Sequence, residues 1–163
     1  MKSVTMISAI LALIGSGIVG GVFFAFSSFV MKALGRLPSS EGIAAMQSIN
    51  VVVINPSFLG AFMGSALLSV AVVVLVLQND SSAAAPFFIG GAMFYVLGTF
   101  LVTLFGNVPM NDKLAASSAT DPAAIKYWDH YLDHWSMLNH IRTGAAVAAV
   151  LMYAVGLLQI GGT

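Results

Sequence analysis

From Val4 to Val30 the chain carries no charged residue. A helix needs roughly 20 predominantly apolar residues to cross the hydrocarbon of a bilayer, so a run of this length reads as a membrane span. Lys2 ahead of it resembles the start of a secretory leader, but the apolar core of such a leader is only about 7–15 residues. The run is therefore expected to be a retained first span. Composition agrees: 59% of residues are hydrophobic and 7% are charged, against about 25% charged in soluble domains. Six basic and six acidic side chains leave no formal net charge, so nothing supports a nucleic-acid footprint. The chain has no cysteine, which excludes a thiolate nucleophile, cysteine-ligated zinc and an iron–sulfur cluster.

Lys32, Arg36 and Pro38 end the first span, and Ser39 or Ser40 is a candidate cap for the next helix. The segment Glu41–Ile54 is too short and, at Gln47, Ser48 and Asn50, too polar for a span. It reads as an interfacial or re-entrant helix over one mouth of a bundle. Asn55 followed by Pro56 is a helix start, and a second span is expected over Ser57–Leu77. A polar turn at 78–86 leads through Pro86 into a third span, Phe87–Phe105. Pro109 should stop or kink that helix near Asn107. Leu114–Ala124 reads as a loop, and Asp121-Pro122 as the start of the last helix. The expected fold is all-α: a four-transmembrane-helix bundle in a single transmembrane domain over 1–163, with an extra short interfacial helix at about 41–54. Gly17 and Gly21, like Gly60 and Gly64, form GxxxG pairs that permit close helix contact, within the bundle or between copies in a homo-oligomer. Phe23, Phe24, Phe26 and Phe29 can wall a cavity or face lipid.

The last helix carries the most unusual stretch, Tyr127–Thr143, which holds all three histidines and both tryptophans. At about 100° per residue, Trp128, Trp135, Asn139 and Arg142 fall within roughly 40° of one line, with Tyr131 close by. Two indoles, a phenol, an amide and a guanidinium suggest a polar, aromatic-walled chamber. Four spans put both termini on one side and the segments 31–56 and 106–143 together on the other. Gln47, Asn50, Asn55, Asn107, Asn111, Asp112, His130, His134, Trp135, Asn139, His140 and Arg142 therefore converge at one end. Lys32, Arg36, Lys113 and Lys126 share that end, against Lys2 opposite, so the positive-inside rule makes it cytoplasmic and the termini periplasmic.

Three chemistries compete there. His130 and His134 are four apart on one helical face, a usable spacing for a metal if Asp112, Asp133 or His140 supplies a third ligand. The alternative is a solvated face of an interfacial helix. Acid–base chemistry without a metal would use His140, whose unperturbed pKa is about 6.5, with Asp112 orienting or replacing it. Arg142 would hold an oxyanion beside asparagine amides and indole N–H groups. Here the alternative is a snorkelling Arg and a His that merely satisfies a carbonyl. Ion transport is disfavoured, because the apolar runs carry no ionisable residue.

Phe26-Ser27-Ser28-Phe29-Val30-Met31-Lys32-Ala33-Leu34, Arg36-Leu37-Pro38, Gly42-Ile43-Ala44-Ala45-Met46-Gln47, Ile49-Asn50 and Asn55-Pro56 resemble the first half of a small membrane-protein family. It is a family of uncharacterised domains whose named members are the anthrone oxygenases of polyketide pathways. Asn107-Val108-Pro109-Met110-Asn111-Asp112 resembles its second signature, and Trp128, Tyr131, Trp135, Asn139-His140 and Arg142-Thr143 its third. The resemblance implies oxidation of an anthrone to an anthraquinone with O2 as co-substrate and without flavin or haem. It marks Asn107, Asn111, Asp112, Trp135, Asn139, His140 and Arg142, and does not cover His130 and His134.

The resulting expectation is a membrane-embedded oxygenase acting on a small apolar aromatic substrate at a bacterial plasma membrane. His140 is the first choice to abstract the proton, with Asp112 orienting it or acting in its place, and Asn107, Asn111, Arg142 and Trp135 would stabilise the resulting anion. Trp128, Tyr131, Asn139, Asn50, Gln47 and Asn55 are expected around the substrate. No organic cofactor is called for, and His130 with His134 is the metal alternative. The competing reading is a non-catalytic membrane protein that binds a lipid, a quinone or a partner protein.

Overall fold

A computed structural model describes residues 2–79 and 83–161. Among the described residues the chain is entirely helix, turn and loop, with no strand. Four helices are long and apolar enough to cross a membrane: Ser3–Leu34, Pro56–Gln78, Ala85–Ala115 and Pro122–Ile160. Between the first two lies a short helix, Ser39–Val52. This is the expected four-span bundle with one extra helix. Of the polar turn expected at 78–86, residues 80–82 lie outside the described residues.

Each span packs on its two neighbours in a ring: first on second, second on third, third on fourth, and fourth on first, with no comparable diagonal contact among the described residues. Small residues allow the closest approaches. A Cβ on Gly20 would sit 3.1 Å from the Ala146 side chain, and one on Gly91 would sit 3.1 Å from the Tyr153 ring. The GxxxG pairs are used differently from the packing reading. A Cβ on Gly21, Gly60 or Gly64 would meet nothing within 4 Å. Those faces turn outward, because spacing alone brings two glycines onto one face without saying what that face meets.

Local start signals hold where their chemistry is local. Asn55 Oδ1 accepts from the Phe58 N–H at 3.0 Å, and Asp121 Oδ1 accepts from the Ala123 N–H at 2.8 Å. Each satisfies an amide that the first helical turn leaves free. Ser39 and Ser40 do not cap. The short helix already begins at Ser39, with Pro38 in the cap position and no side-chain cap bond.

Pro109 does not stop the third span, which continues to Ala115. The five residues before Val108, Thr103–Asn107, form a π-helical turn closed by the Val108 N–H on the Thr103 carbonyl. The wider coil accommodates the pyrrolidine ring and its missing amide hydrogen, so the proline sits in the first turn of the next α-helical segment. The loop expected at Leu114–Ala124 shrinks accordingly to residues 116–121. Two more π-helical segments, Phe26–Val30 and Phe94–Leu101, lie in the first and third spans. The last helix runs unbroken from the aromatic stretch into the apolar run. At 1.5 Å per residue its 40 residues are roughly 60 Å long, about twice the hydrocarbon thickness.

Two cores result. One, built on Val19, Phe62, Val72, Phe88, Tyr95 and Tyr153, fills the bundle towards the chain termini. The other, built on Met31, Ile43, Met46, Leu114, Trp128, Tyr131 and Trp135, binds the short helix to the opposite end. The segments 31–56 and 106–143 thus lie together, as span counting required.

Candidate functional site

The aromatic and polar face of the last helix is buried along its whole length: Trp128, Tyr131, Trp135, Asn139 and Arg142 are each less than 5% exposed. Its rings form a ladder. Trp128 stacks on Tyr131 with centroids 5.5 Å apart, and Tyr131 on Trp135 at 6.1 Å. Asn111, reaching from the third span, ties two of these rings together. Its Oδ1 accepts from the Tyr131 hydroxyl and from Trp135 Nε1, both at 2.7 Å. The lower end of the ladder is packed under the short helix, where Gly42 lets Trp128 approach so closely that a Cβ there would be 3.0 Å from the indole.

Arg142 sits further into the bundle. Its guanidinium carbon lies 4.0 Å from the Phe23 ring centroid and 5.0 Å from that of Trp135. Nη2 donates to Asn139 Oδ1 at 2.7 Å and Nη1 to Thr103 Oγ1 at 3.3 Å. Neither partner is a carboxylate, and Nε, although buried, has no hydrogen-bond partner. A guanidinium is charged at neutral pH. Burying one without a counter-ion costs several kcal/mol by rough estimate, and the usual reward is function. Asn139 holds the fork in place, since its Nδ2 donates to the Phe23 carbonyl at 2.8 Å and to Ser27 Oγ at 2.7 Å.

Arg142 and Trp135 open on a chamber of about 620 Å³, walled mainly by Phe23, Phe26, Met46, Phe58 and Phe62. Its polar groups are Gln47, Asn50, Thr103, Asn111, Asp112 and Arg142. The volume falls within the range of small-molecule sites, and the mostly apolar wall with a few convergent polar groups is their usual make-up. The phenylalanine cluster divides here: Phe23 and Phe26 wall the chamber, while Phe24 and Phe29 point outward.

The remaining sequence candidates occupy different stations. Asn107 is buried behind Trp135, donating to its carbonyl at 3.1 Å, with its own Oδ1 unpartnered. Gln47 lines the chamber but spends its amide on the Leu114 and Ser117 carbonyls, at 2.8 and 2.9 Å. Asn50 lines it beside the Tyr131 hydroxyl, and its buried Nδ2 makes no hydrogen bond of good geometry. Asn55 caps the second span and lies outside the lining.

His140 also lies outside the chamber. It is exposed and borders a separate groove with Lys32, Arg36 and Asp133, as expected of a residue turned about 100° from its neighbours. Its link to the interior is indirect, through Nδ1 and Ser27 Oγ at 2.9 Å. Thr143 spends its proton on the Asn139 carbonyl at 2.8 Å and lies 3.0 Å from Ser27. Ser27 therefore best donates to Thr143 and accepts from Asn139 and from a His140 protonated on Nδ1.

His130 and His134 stack on each other with ring centroids 3.9 Å apart, both exposed. Among the described residues no three His, Cys, Asp or Glu side chains gather to hold a metal. Two participants carried little or no sequence signal: Ser27, which joins Asn139 to His140, and Thr103, which steadies the guanidinium.

These features define an integral membrane helical bundle with an aromatic-walled chamber that brings a buried cation and a carboxylate to one space. A family model described as anthrone oxygenase matches residues 56–152, more than half of the 163-residue chain. The chain belongs to the anthrone oxygenase family. The matched region carries the second and third spans and the fourth as far as Met152, and with them Thr103, Asn111, Asp112, Trp135 and Arg142. No curated protein and no solved structure matches the chain.

Proposed function

We propose that this chain is a membrane-embedded oxygenase that acts with O2 on an anthrone-like or phenolic aromatic substrate, with no metal or organic cofactor of its own. The observation that carries the reading is Arg142: a charged guanidinium, 3% exposed, without a carboxylate among its hydrogen-bond partners, opening on an apolar chamber that also holds Asp112. A resident anion is what such a group lacks, and an enolate or phenolate is the anion an oxidisable aromatic ring supplies.

The chemistry divides among the residues accordingly. Asp112 takes a proton from the activated C–H of the substrate. Arg142 and Asn50 Nδ2 receive the oxygen on which the negative charge develops, so they bind the deprotonated state better than the neutral one. The aromatic walls, with Trp135 fixed by Asn111, hold the flat ring system and exclude bulk water. The carbanion gives one electron to O2, and the radical pair joins to form a carbon-bound hydroperoxide after protonation. Loss of water then converts the former C–H2 carbon to a ketone. One O2 is consumed per substrate, one oxygen atom enters the product and the other leaves as water.

Asp112 is preferred to His140 as the base because it lines the chamber, whereas His140 borders the outer groove. The test is O2 uptake by the reconstituted protein with anthrone as substrate. Asp112→Asn is expected to lose at least about 100-fold in turnover, the range for a general base, and His140→Ala to keep most of it. Full activity of Asp112→Asn overturns the assignment. Binding of anthrone with no O2 uptake above the protein-free rate leaves the non-catalytic reading in its place.

A further inference from the structure

The short helix roofs the chamber on the water side, where exposed Val51 and Asp112 edge the lining, and the chamber opens sideways between the second and third spans. Ile43 and Met46 are buried beneath the roof. The Gln47 amide pins it to the Leu114 and Ser117 carbonyls at the end of the third span. Sideways the arrangement is different. The second span packs along Ala85–Leu101 of the third and makes no comparable contact with Thr103–Ala115. The last close contacts are Phe62 stacked on Phe100 at 5.1 Å and the Tyr95 hydroxyl on the Phe62 carbonyl at 3.0 Å. Beyond them the two helices splay, and the residues facing each other across the gap are Leu59 and Met63 on one side and Leu104 and Val108 on the other. All four line the chamber and all four are exposed. Ile54, 68% exposed, completes the rim at the roof. In water such a rim would be an unfavourable apolar patch. On the outer face of a membrane span it is surrounded by acyl chains.

We propose that this slot between the second and third spans is a lateral portal through which the chamber exchanges a flat, bilayer-dissolved aromatic ligand directly with the lipid. The ligand it fits is largely apolar with one polar edge, able to slide in along the acyl chains and turn that edge to Arg142. Asp112 is the one ionisable group on the rim, a turn beyond Val108 towards the polar end. A proton taken up there is released to interfacial water, while the organic molecule enters and leaves through hydrocarbon. The identity of the ligand rests on the oxygenase reading; the existence of the portal does not.

The experiment uses the full chain in phosphatidylcholine vesicles and the fluorescence of Trp135, isolated by Trp128→Phe. The probes are phosphatidylcholine brominated on its acyl chains, presented from the lipid side, and iodide, presented from water. Leu59→Cys with Leu104→Cys supplies two thiols in a chain that otherwise has none, and a bismaleimide bridges them. The same variant capped with N-ethylmaleimide is the control.

Brominated lipid is expected to quench Trp135 several-fold more than iodide does, and bridging is expected to remove most of that quenching while capping does not. Stronger quenching by iodide, or lipid quenching unchanged by the bridge, overturns the portal. If Trp128→Phe does not fold, the same difference is read on the tryptophan pair, in which the buried Trp128 contributes a fixed background. O2 uptake on the same samples separates the two readings. Loss of turnover on bridging supports the portal as the substrate route, whereas quenching that behaves as expected without any O2 uptake overturns the oxygenase reading and leaves the portal standing.

Discussion

Replacing Arg142 by Met should leave the fold almost as stable as before while removing the activity. The guanidinium loses a hydrogen bond to Asn139 at 2.7 Å, a longer one to Thr103 at 3.3 Å, and its stacking on Phe23 and Trp135. Together these are worth about 4–6 kcal/mol, including the Asn139 carbonyl left unpaired. Against that, the substitution removes a buried charge that no carboxylate neutralises, a relief of several kcal/mol, and adds about 2 kcal/mol of apolar burial. The two sides nearly cancel, so the net change is expected within about 2 kcal/mol, or a Tm shift below about 8 °C for a chain of this size. Turnover, by contrast, should fall about 10²–10³-fold, the usual loss on removing one group that stabilises a developing oxyanion. Thermal unfolding and O2 uptake in the same lipid preparation read both quantities, and Arg142→Lys, with charge but no fork, should fall between. A Tm drop well beyond 8 °C in Arg142→Met would make Arg142 a structural tie, and unchanged turnover would end its role as anion holder.

Asn111→Leu is expected to destabilise by about 2–4 kcal/mol, since it strands two buried donors at once. Asn111→Asp, which keeps the accepting oxygen, should cost less, and thermal unfolding distinguishes the two. His130→Ala with His134→Ala should leave both the metal content of the purified protein and its folding unchanged, as checked by elemental analysis and circular dichroism; loss of a stoichiometric metal would refute the solvated-face reading. A reporter fused to the C-terminus should read as periplasmic, given the excess of Lys and Arg at the chamber end, and a cytoplasmic signal would invert the topology.

How far the chain could be read from its sequence depended on whether the deciding interaction was local. Asn55-Pro56 and Asp121-Pro122 announced helix starts because a cap and its amides lie within three residues of each other. The buried face from Trp128 to Arg142 was legible because a long straight helix keeps its 3.6-residue phase. The same phase placed His140 on the flank, as the structure has it. Pro109 marked the place where the helix departs from α geometry but not a stop, because a π-helical turn, invisible in the residue pattern, takes up the space the ring needs. Gln47 looked like a lining group, yet its amide goes to two carbonyls that are free only because the third helix ends where it does. The splay between the second and third spans has no sequence signature at all. It follows from which side chains happen to meet at Phe62 and Phe100, a property of pairs and not of segments.

The π-helical stretches also set the angular bookkeeping of the third span. Each wide turn consumes about one more residue than an α-helical turn, so Phe94–Leu101 and Thr103–Asn107 together decide which compass direction Asn111 and Asp112 face. Deleting a single residue between 94 and 107 would let a wide turn tighten to an ordinary one. Because the tightened turn gives back the residue that the wide turn consumed, everything beyond it would keep its facing, and Asn111 would stay with Tyr131 and Trp135. A chain one residue shorter there would still insert, bundle and present its chamber, whereas the same deletion within the α-helical turns beyond, with both wide turns kept, would swing the residues after it by about 100° and leave a blank wall.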